Sequence, residues 1–172
     1  MAKLKTRKLT TMALLTAIAL TIFIIENQIP LPVAIPGMKL GLSNIITVYA
    51  VFALGAKEGA AILFTRVFLG AIFSGNFGTI FYSAAGGALA ILTTIALKPV
   101  LKDGQLWVAG VLGAIAHILG QMAVAVWATG TTSVLIYLPV LVVCSVFTGL
   151  FTGLCAQLIL KRGKHLWKTI FK

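Results

Sequence analysis

Arg66 stands in the middle of the run Ala60-Ala61-Ile62-Leu63-Phe64-Thr65-Arg66-Val67-Phe68-Leu69-Gly70-Ala71-Ile72-Phe73, which is otherwise almost free of polar side chains. A guanidinium keeps its charge at any ordinary pH and presents its N–H groups as a planar fork suited to oxyanions. At mid-membrane it costs about 3 kcal/mol on insertion scales. A carboxylate partner, a water-filled cavity or an anionic ligand must offset that cost. Lys39, Asn44, Tyr82, His117 and Gln121 are the other residues with ligand-binding chemistry. His117 and Gln121 are four apart and share a helix face, with Gly113 and Gly120 on or near it. They serve either as ligand contacts or as hydrogen-bonding glue between helices. Tyr82 and Tyr137 either line a pocket or sit in an interfacial belt with Trp127.

Catalysis is a poor reading of this chain. It has two histidines and three acidic residues, too few for a plausible acid–base pair once Glu58, Asp103 and His165 are assigned to inner loops and tail. Metal-ligand spacing and a phosphate loop are both missing from the sequence, so neither a metal nor a cofactor is expected. Cys144 and Cys155, eleven residues apart on one helix, read as small apolar packing residues.

The elements that must position these groups are helices in a bilayer. The chain is 60% hydrophobic and only 10% charged, against about 25% charged in soluble domains. Its apolar residues come in long blocks, which predicts an all-α membrane protein with six transmembrane helices over 9–26, 41–56, 59–75, 77–97, 106–129 and 133–160. The second and third are short, and Pro139 is placed to kink the sixth near its start. Residues 1–172 read as a single membrane domain. It comprises a basic N-terminus (1–8), an outer lid-like loop (27–40) and a basic tail (161–172). The first apolar run is followed by Glu26-Asn27-Gln28 rather than a small-residue cleavage site, so it reads as a span.

Charge orients the bundle. Lys3, Lys5, Arg7, Lys8, Lys57, Lys98, Lys102, Lys161, Arg162, Lys164, Lys168 and Lys172 fall on one side, with Lys39 alone on the other. The positive-inside rule then places both termini in the cytoplasm of a cell-membrane protein. The net charge of +11 is accounted for by topology and anionic lipid, not by nucleic acid. With this orientation Glu26, Asn27, Ser43, Asn44, Asn76, Tyr82, Ser83, His117 and Gln121 all lie in the outer half. That pattern predicts a pocket open outward and closed below, and not a continuous pore. The loop from Glu26 to Lys39, stiffened by Pro30, Pro32 and Pro36, reads as a lid or as a re-entrant segment. Arg66, on an outward-running span, should lean toward the cytoplasm from a point roughly 10 Å inside that face. Glu26 is then expected to be too distant to pair with it. Ligand contact, a structural role and a coupling role all stay open for Arg66. Ala13 and Ala17, followed by Thr21, form a small-residue stripe along which helices can approach closely.

Three segments carry a resemblance: Pro36-Gly37-Met38-Lys39-Leu40-Gly41-Leu42-Ser43-Asn44, Arg66-Val67-Phe68-Leu69-Gly70 and His117-Ile118-Leu119-Gly120-Gln121. They resemble the Gx transporter family, also labelled heptaprenyl diphosphate synthase component I, over about Leu9 to Leu160. The family is similar to the substrate-binding S components of energy-coupling factor (ECF) transporters. The resemblance implies a six-helix bundle with an outer pocket and a lid. It also implies a small-molecule ligand, such as a vitamin, flavin, quinone precursor or isoprenoid-related compound. Docking through Ala13 and Ala17 on a transmembrane coupling subunit powered by ATPases is implied as well, with Thr21 standing where a third alanine would extend the stripe. The alternative is a non-catalytic accessory subunit of a heptaprenyl diphosphate synthase or membrane redox system. The chain's one aspartate, Asp103, cannot form the aspartate-rich motif that prenyl transfer needs.

Overall fold

The computed structural model describes residues 2–29, 39–102 and 104–170, with side chains described over 5–29, 39–102 and 104–163. Six α-helices follow one another: α1 (Ala2–Glu26), α2 (Asn44–Ala53), α3 (Ala56–Ser74), α4 (Gly78–Leu97), α5 (Leu106–Thr129) and α6 (Leu138–Ile170). A 3-10 segment, Thr132–Tyr137, precedes α6. The described residues contain no strand. Glycine ends several helices where a left-handed backbone is needed, as at Gly75 (φ 63°) after α3 and Gly130 (φ 66°) after α5. Pro139 falls in the first turn of α6, just after the 3-10 segment, where its missing N–H leaves no hydrogen bond unmade.

Four helical stretches are long and apolar enough to cross a membrane: Lys5–Glu26, Gly78–Leu97, Leu106–Thr129 and Thr132–Gly163. The other two helices depart from expectation. α3 has 19 residues but carries Lys57, Glu58 and Arg66. α2 has 10 residues, about 15 Å of helix against a hydrocarbon core of about 30 Å. The span expected over 41–56 is cut short at both ends by glycines in positive-φ conformations, Gly41 (φ 82°) and Gly55 (φ 128°). Its uniform apolarity has another cause. α2 contacts α1, α3, α4, α5 and α6, and a helix enclosed on all sides is apolar all round. Ile46, Val48, Tyr49, Ala50 and Val51 are buried in it.

Glycines set how closely α4, α5 and α6 pack. A Cβ on Gly110 of α5 would lie 2.3 Å from the Gly149 carbonyl oxygen and 2.5 Å from the Gly153 Cα of α6. A Cβ on Gly120 would lie 2.6 Å from the Ala85 carbonyl oxygen of α4. Backbones this close leave no room for a side chain, and the contact is dispersion over a long seam. Polar caps close the end that carries the basic residues. Lys98 Nζ donates to the Val51 carbonyl at 2.6 Å, satisfying the C-terminus of α2. The Leu106 N–H donates to Gln157 Oε1 at 3.1 Å, capping α5 from α6. Lys8 and Glu58 form an ion pair at 2.5 Å between α1 and α3, and the hydrogen bond from Lys8 holds the Glu58 carboxyl below the usual carboxylate range.

Gly110→Ala should therefore destabilise the protein in detergent by about 1–3 kcal/mol through overpacking. Gly104→Ala, where a Cβ meets nothing within 4 Å, should leave the thermal midpoint close to that of the parent. Equal midpoints for the two variants would show that the α5–α6 seam does not depend on these glycines.

A buried cationic cluster at the head of α2

The turn that leads into α2 lies inside the bundle, so those of its backbone amides that no carbonyl reaches need acceptors that water cannot supply. Glu26, the last residue of α1 and 4% exposed, supplies them. Its Oε1 accepts from the Gly41 N–H, and its Oε2 accepts from the Ser43 N–H at 3.4 Å. A carboxylate is favoured there by the positive end of the α2 dipole. Gly41 fits this turn for two reasons. Its φ of 82° suits glycine, and a Cβ would come 2.8 Å from Asn44 Nδ2 and 3.2 Å from His117 Cδ2.

Arg66 reaches the same place from the middle of α3. It is 2% exposed, and its Nη1 donates to Ser43 Oγ. The expected lean toward the opposite face does not occur, because the short α2 brings Ser43 down to the level of Arg66. Phe23, one turn before Glu26, stands between the cations. Lys39 Nζ lies 3.3 Å from its ring centroid and Arg66 Cζ 5.7 Å from the same centroid, so the ring face partly offsets their lost hydration. Gly70, one turn on from Arg66, makes room for that ring: a Cβ there would be 2.6 Å from Phe23 Cε1.

Across the bundle, the Lys39 N–H donates to Gln121 Oε1 at 3.1 Å. That bond orients the amide, so Gln121 Nε2 faces His117 Nε2 at 2.7 Å and donates to it. His117 Nε2 is then the acceptor, and the imidazole is neutral with its proton on Nδ1. Nδ1 lies against Gly86, where a Cβ would be 2.8 Å away. This ladder ties Lys39 to α5.

Several buried polar atoms of the cluster have no hydrogen-bond partner: Lys39 Nζ, Arg66 Nε and Nη2, both amide atoms of Asn44, and His117 Nδ1. Leaving such groups unpaired is expensive, and native proteins rarely do so without a functional reason. A cavity of about 550 Å³ adjoins the cluster and shares Glu26 and Lys39 with it. Ile24, Phe73, Asn76 and Thr79 form other parts of its wall.

Of the residues selected from sequence, Lys39, Asn44, Arg66, His117 and Gln121 thus come together in space. Tyr82 does not join them. It packs on the apolar group Ile118, Met122, Ala125 and Leu141, because its helical position faces the α5–α6 side of α4. Phe23 was not selected, and neither Glu26 nor Ser43 was recognised as part of the site. The need of the buried amides before α2 for an acceptor is the signal by which Glu26 could have been found. Of the lid-like loop over 27–40, residues 30–38 lie outside the described residues. Ala13 and Ala17 are exposed on α1, beside the exposed Leu14 and Ile18.

The chain belongs to the family described as heptaprenyl diphosphate synthase component I, which it matches over residues 15–159. No curated protein and no solved structure matches it.

Burial lowers the Lys39 ammonium from 10.5 to about 8, against the attraction of Glu26 and with repulsion from Arg66 adding to the effect. Between about 8 and 10.5 the unfolded chain binds the Lys39 proton and the folded chain does not, so stability rises with pH through this window. Thermal midpoints of Lys39→Met and the parent, measured from pH 7 to 10, should differ in slope. The parent should gain on the variant as pH rises; parallel curves would mean Lys39 is not desolvated.

Proposed function

We propose that this member of the family is the membrane-embedded substrate-binding subunit of an ECF-type transporter. It captures a small molecule at the end of the bundle remote from the basic residues. In this reading the six helices form one membrane-embedded unit with both termini in the cytoplasm of the cell, and the 550 Å³ cavity faces outward. The observation that carries it is the set of buried, unpartnered polar atoms on Lys39, Arg66 and Asn44, of which Lys39 also lines that cavity. An ionisable residue inside a membrane protein marks a ligand or ion site by default. A cluster at one end, with apolar packing below, suits capture and release rather than a pore. Energy for transport would come from ATPases acting through a coupling subunit. The exposed face of α1 around Ala13 and Ala17 is suited to a close helix approach by that subunit.

The family's description favours a second reading, a non-catalytic accessory subunit of a heptaprenyl diphosphate synthase. Any prenyl transfer would then be carried out by the partner. The two readings part on what stays with the protein. Native mass spectrometry after gentle extraction should find a small molecule retained by the parent and depleted in Lys39→Met, together with an ECF coupling subunit in co-purification. A protein that retains no small molecule and instead co-purifies with a soluble prenyl synthase, through the basic residues Lys161 and Arg162, would overturn the transporter reading.

A further inference from the structure

We infer that the α2-head cluster takes one oxyanion group, a carboxylate or a phosphate monoester, gripped side-on by Arg66 with Lys39 and Asn44 beside it. The inference rests on the reading of this cluster as a ligand site and names the chemistry of the ligand.

Charge counting is the first argument. The chain holds three acidic residues. Glu58 is paired with Lys8, and Asp103 belongs to the connection between α4 and α5. Only Glu26 is near the cluster, and both of its oxygens are engaged by the amides of Gly41 and Ser43. Among the described residues the Lys8–Glu58 pair is the one ion pair present. Lys39 and Arg66 therefore share a buried region with a single carboxylate committed to backbone, and His117 is held neutral by Gln121. One positive charge is left over; a carboxylate cancels it, as does a phosphate monoester that keeps one proton.

Geometry is the second argument. Arg66 uses Nη1 on Ser43 and leaves Nε and Nη2 free. The free pair is the side edge of the guanidinium, on which two N–H bonds run parallel. That edge matches two oxygens of one carboxylate or phosphate. A neutral ligand would leave the edge partly unsatisfied, and a cation would add to the surplus. The Lys39 ammonium borders both cluster and cavity, so it can close on the anion from the cavity side. Asn44 has a free donor and a free acceptor. It can give its N–H₂ to the anion and accept from a neighbouring hydroxyl or amide of the ligand. The cavity walls are mixed, apolar at Ile24, Ile29 and Phe73 and polar at Asn27 and Asn76. They suit a small amphipathic body behind the charged head.

The test uses the full chain in a neutral, phosphate-free detergent at matched ionic strength. Thermal midpoints are followed against sodium phosphate, pyrophosphate and benzoate, with benzamide and benzylamine as the neutral and cationic counterparts. Phosphate or benzoate should raise the midpoint in a saturable way, and the preferred one identifies the head group; benzamide and benzylamine should not. Arg66→Lys keeps the charge and loses the fork, and should weaken the apparent affinity by about tenfold or more. Asn44→Asp is isosteric and supplies the missing negative charge. It should raise the midpoint of the ligand-free protein and abolish the oxyanion response, a gain that a folding defect cannot mimic. Stabilisation by benzamide or benzylamine equal to that by benzoate would overturn the inference, as would a lowered ligand-free midpoint in Asn44→Asp. A neutral or cationic molecule retained through purification would sink this inference and leave the ligand-site reading standing. If nothing is retained and no probe stabilises the protein, both fall.

Discussion

The Glu26 carboxylate on the Gly41 and Ser43 amides is the interaction on which the site depends. It joins the end of α1 to the head of α2 and fixes where the short helix begins. It also commits both carboxylate oxygens to backbone amides, so the two cations nearby feel its charge without a hydrogen bond from it. An ordinary buried Arg–Glu pair would have neutralised Arg66 and left a closed, inert core. Here the acid serves backbone amides, and Arg66 keeps a free edge. The Phe23 ring lies in the same turn of α1 as Glu26 and supports both cations by its face. One turn of one helix therefore supplies both the acceptor that organises the loop into α2 and the surface on which the cations rest.

α2 explains why this arrangement lies inside the bundle. A helix of full membrane length would have carried Ser43 and Asn44 to the surface, where water would satisfy them. With 10 residues and neighbours on all sides, the helix begins within the protein. Its polar head is then buried at the level of Arg66. The far end carries Lys98 on the Val51 carbonyl, so one terminus of α2 has a lysine cap and the other is arranged around unpaired groups.

Much of this was legible in the sequence. Long apolar blocks broken at Lys57-Glu58, Gly75-Asn76 and Gly130 located the helices, because lipid-facing and buried positions alike exclude charge there. Lys39, Asn44, Arg66, His117 and Gln121 were visible as polar intrusions, since few polar residues occur in these blocks at all. Two things were not legible. Apolarity does not distinguish a helix that faces lipid from one enclosed by other helices, so α2 read as a span until its positive-φ glycines at both ends were seen. The pattern of α3 alone does not reveal the surroundings of Arg66, because its partner Ser43 is set by where α2 starts. Tyr82 shows the same limit: its type suited a pocket, and only the facing of α4 against Ile118 and Met122 sends it elsewhere.

The tightest helix seams and the buried cations occupy different parts of the bundle. α5 packs most extensively against α4 and α6, along seams where Gly110, Gly120, Gly149 and Gly153 bring backbones together. Those glycine contacts touch neither Lys39 nor Arg66, and the cluster meets the α4–α5 seam at His117 against Gly86. α1, α2 and α3 surround the cluster and are joined through an apolar core of Leu15, Ala19, Ile46, Ala50 and Ile62, through Phe23, Glu26, Ser43 and Arg66, and through the Lys8–Glu58 pair at the other end. The surplus positive charge is tolerable because apolar packing and the glycine seams hold the fold without it. The same division means that a group which satisfied Arg66 and Lys39 would strengthen the α1–α2–α3 side and leave the α4–α5–α6 side as it is. Occupancy would then be felt first by α1, the helix that carries Phe23 and Glu26 on one face and the exposed Ala13 and Ala17 on another.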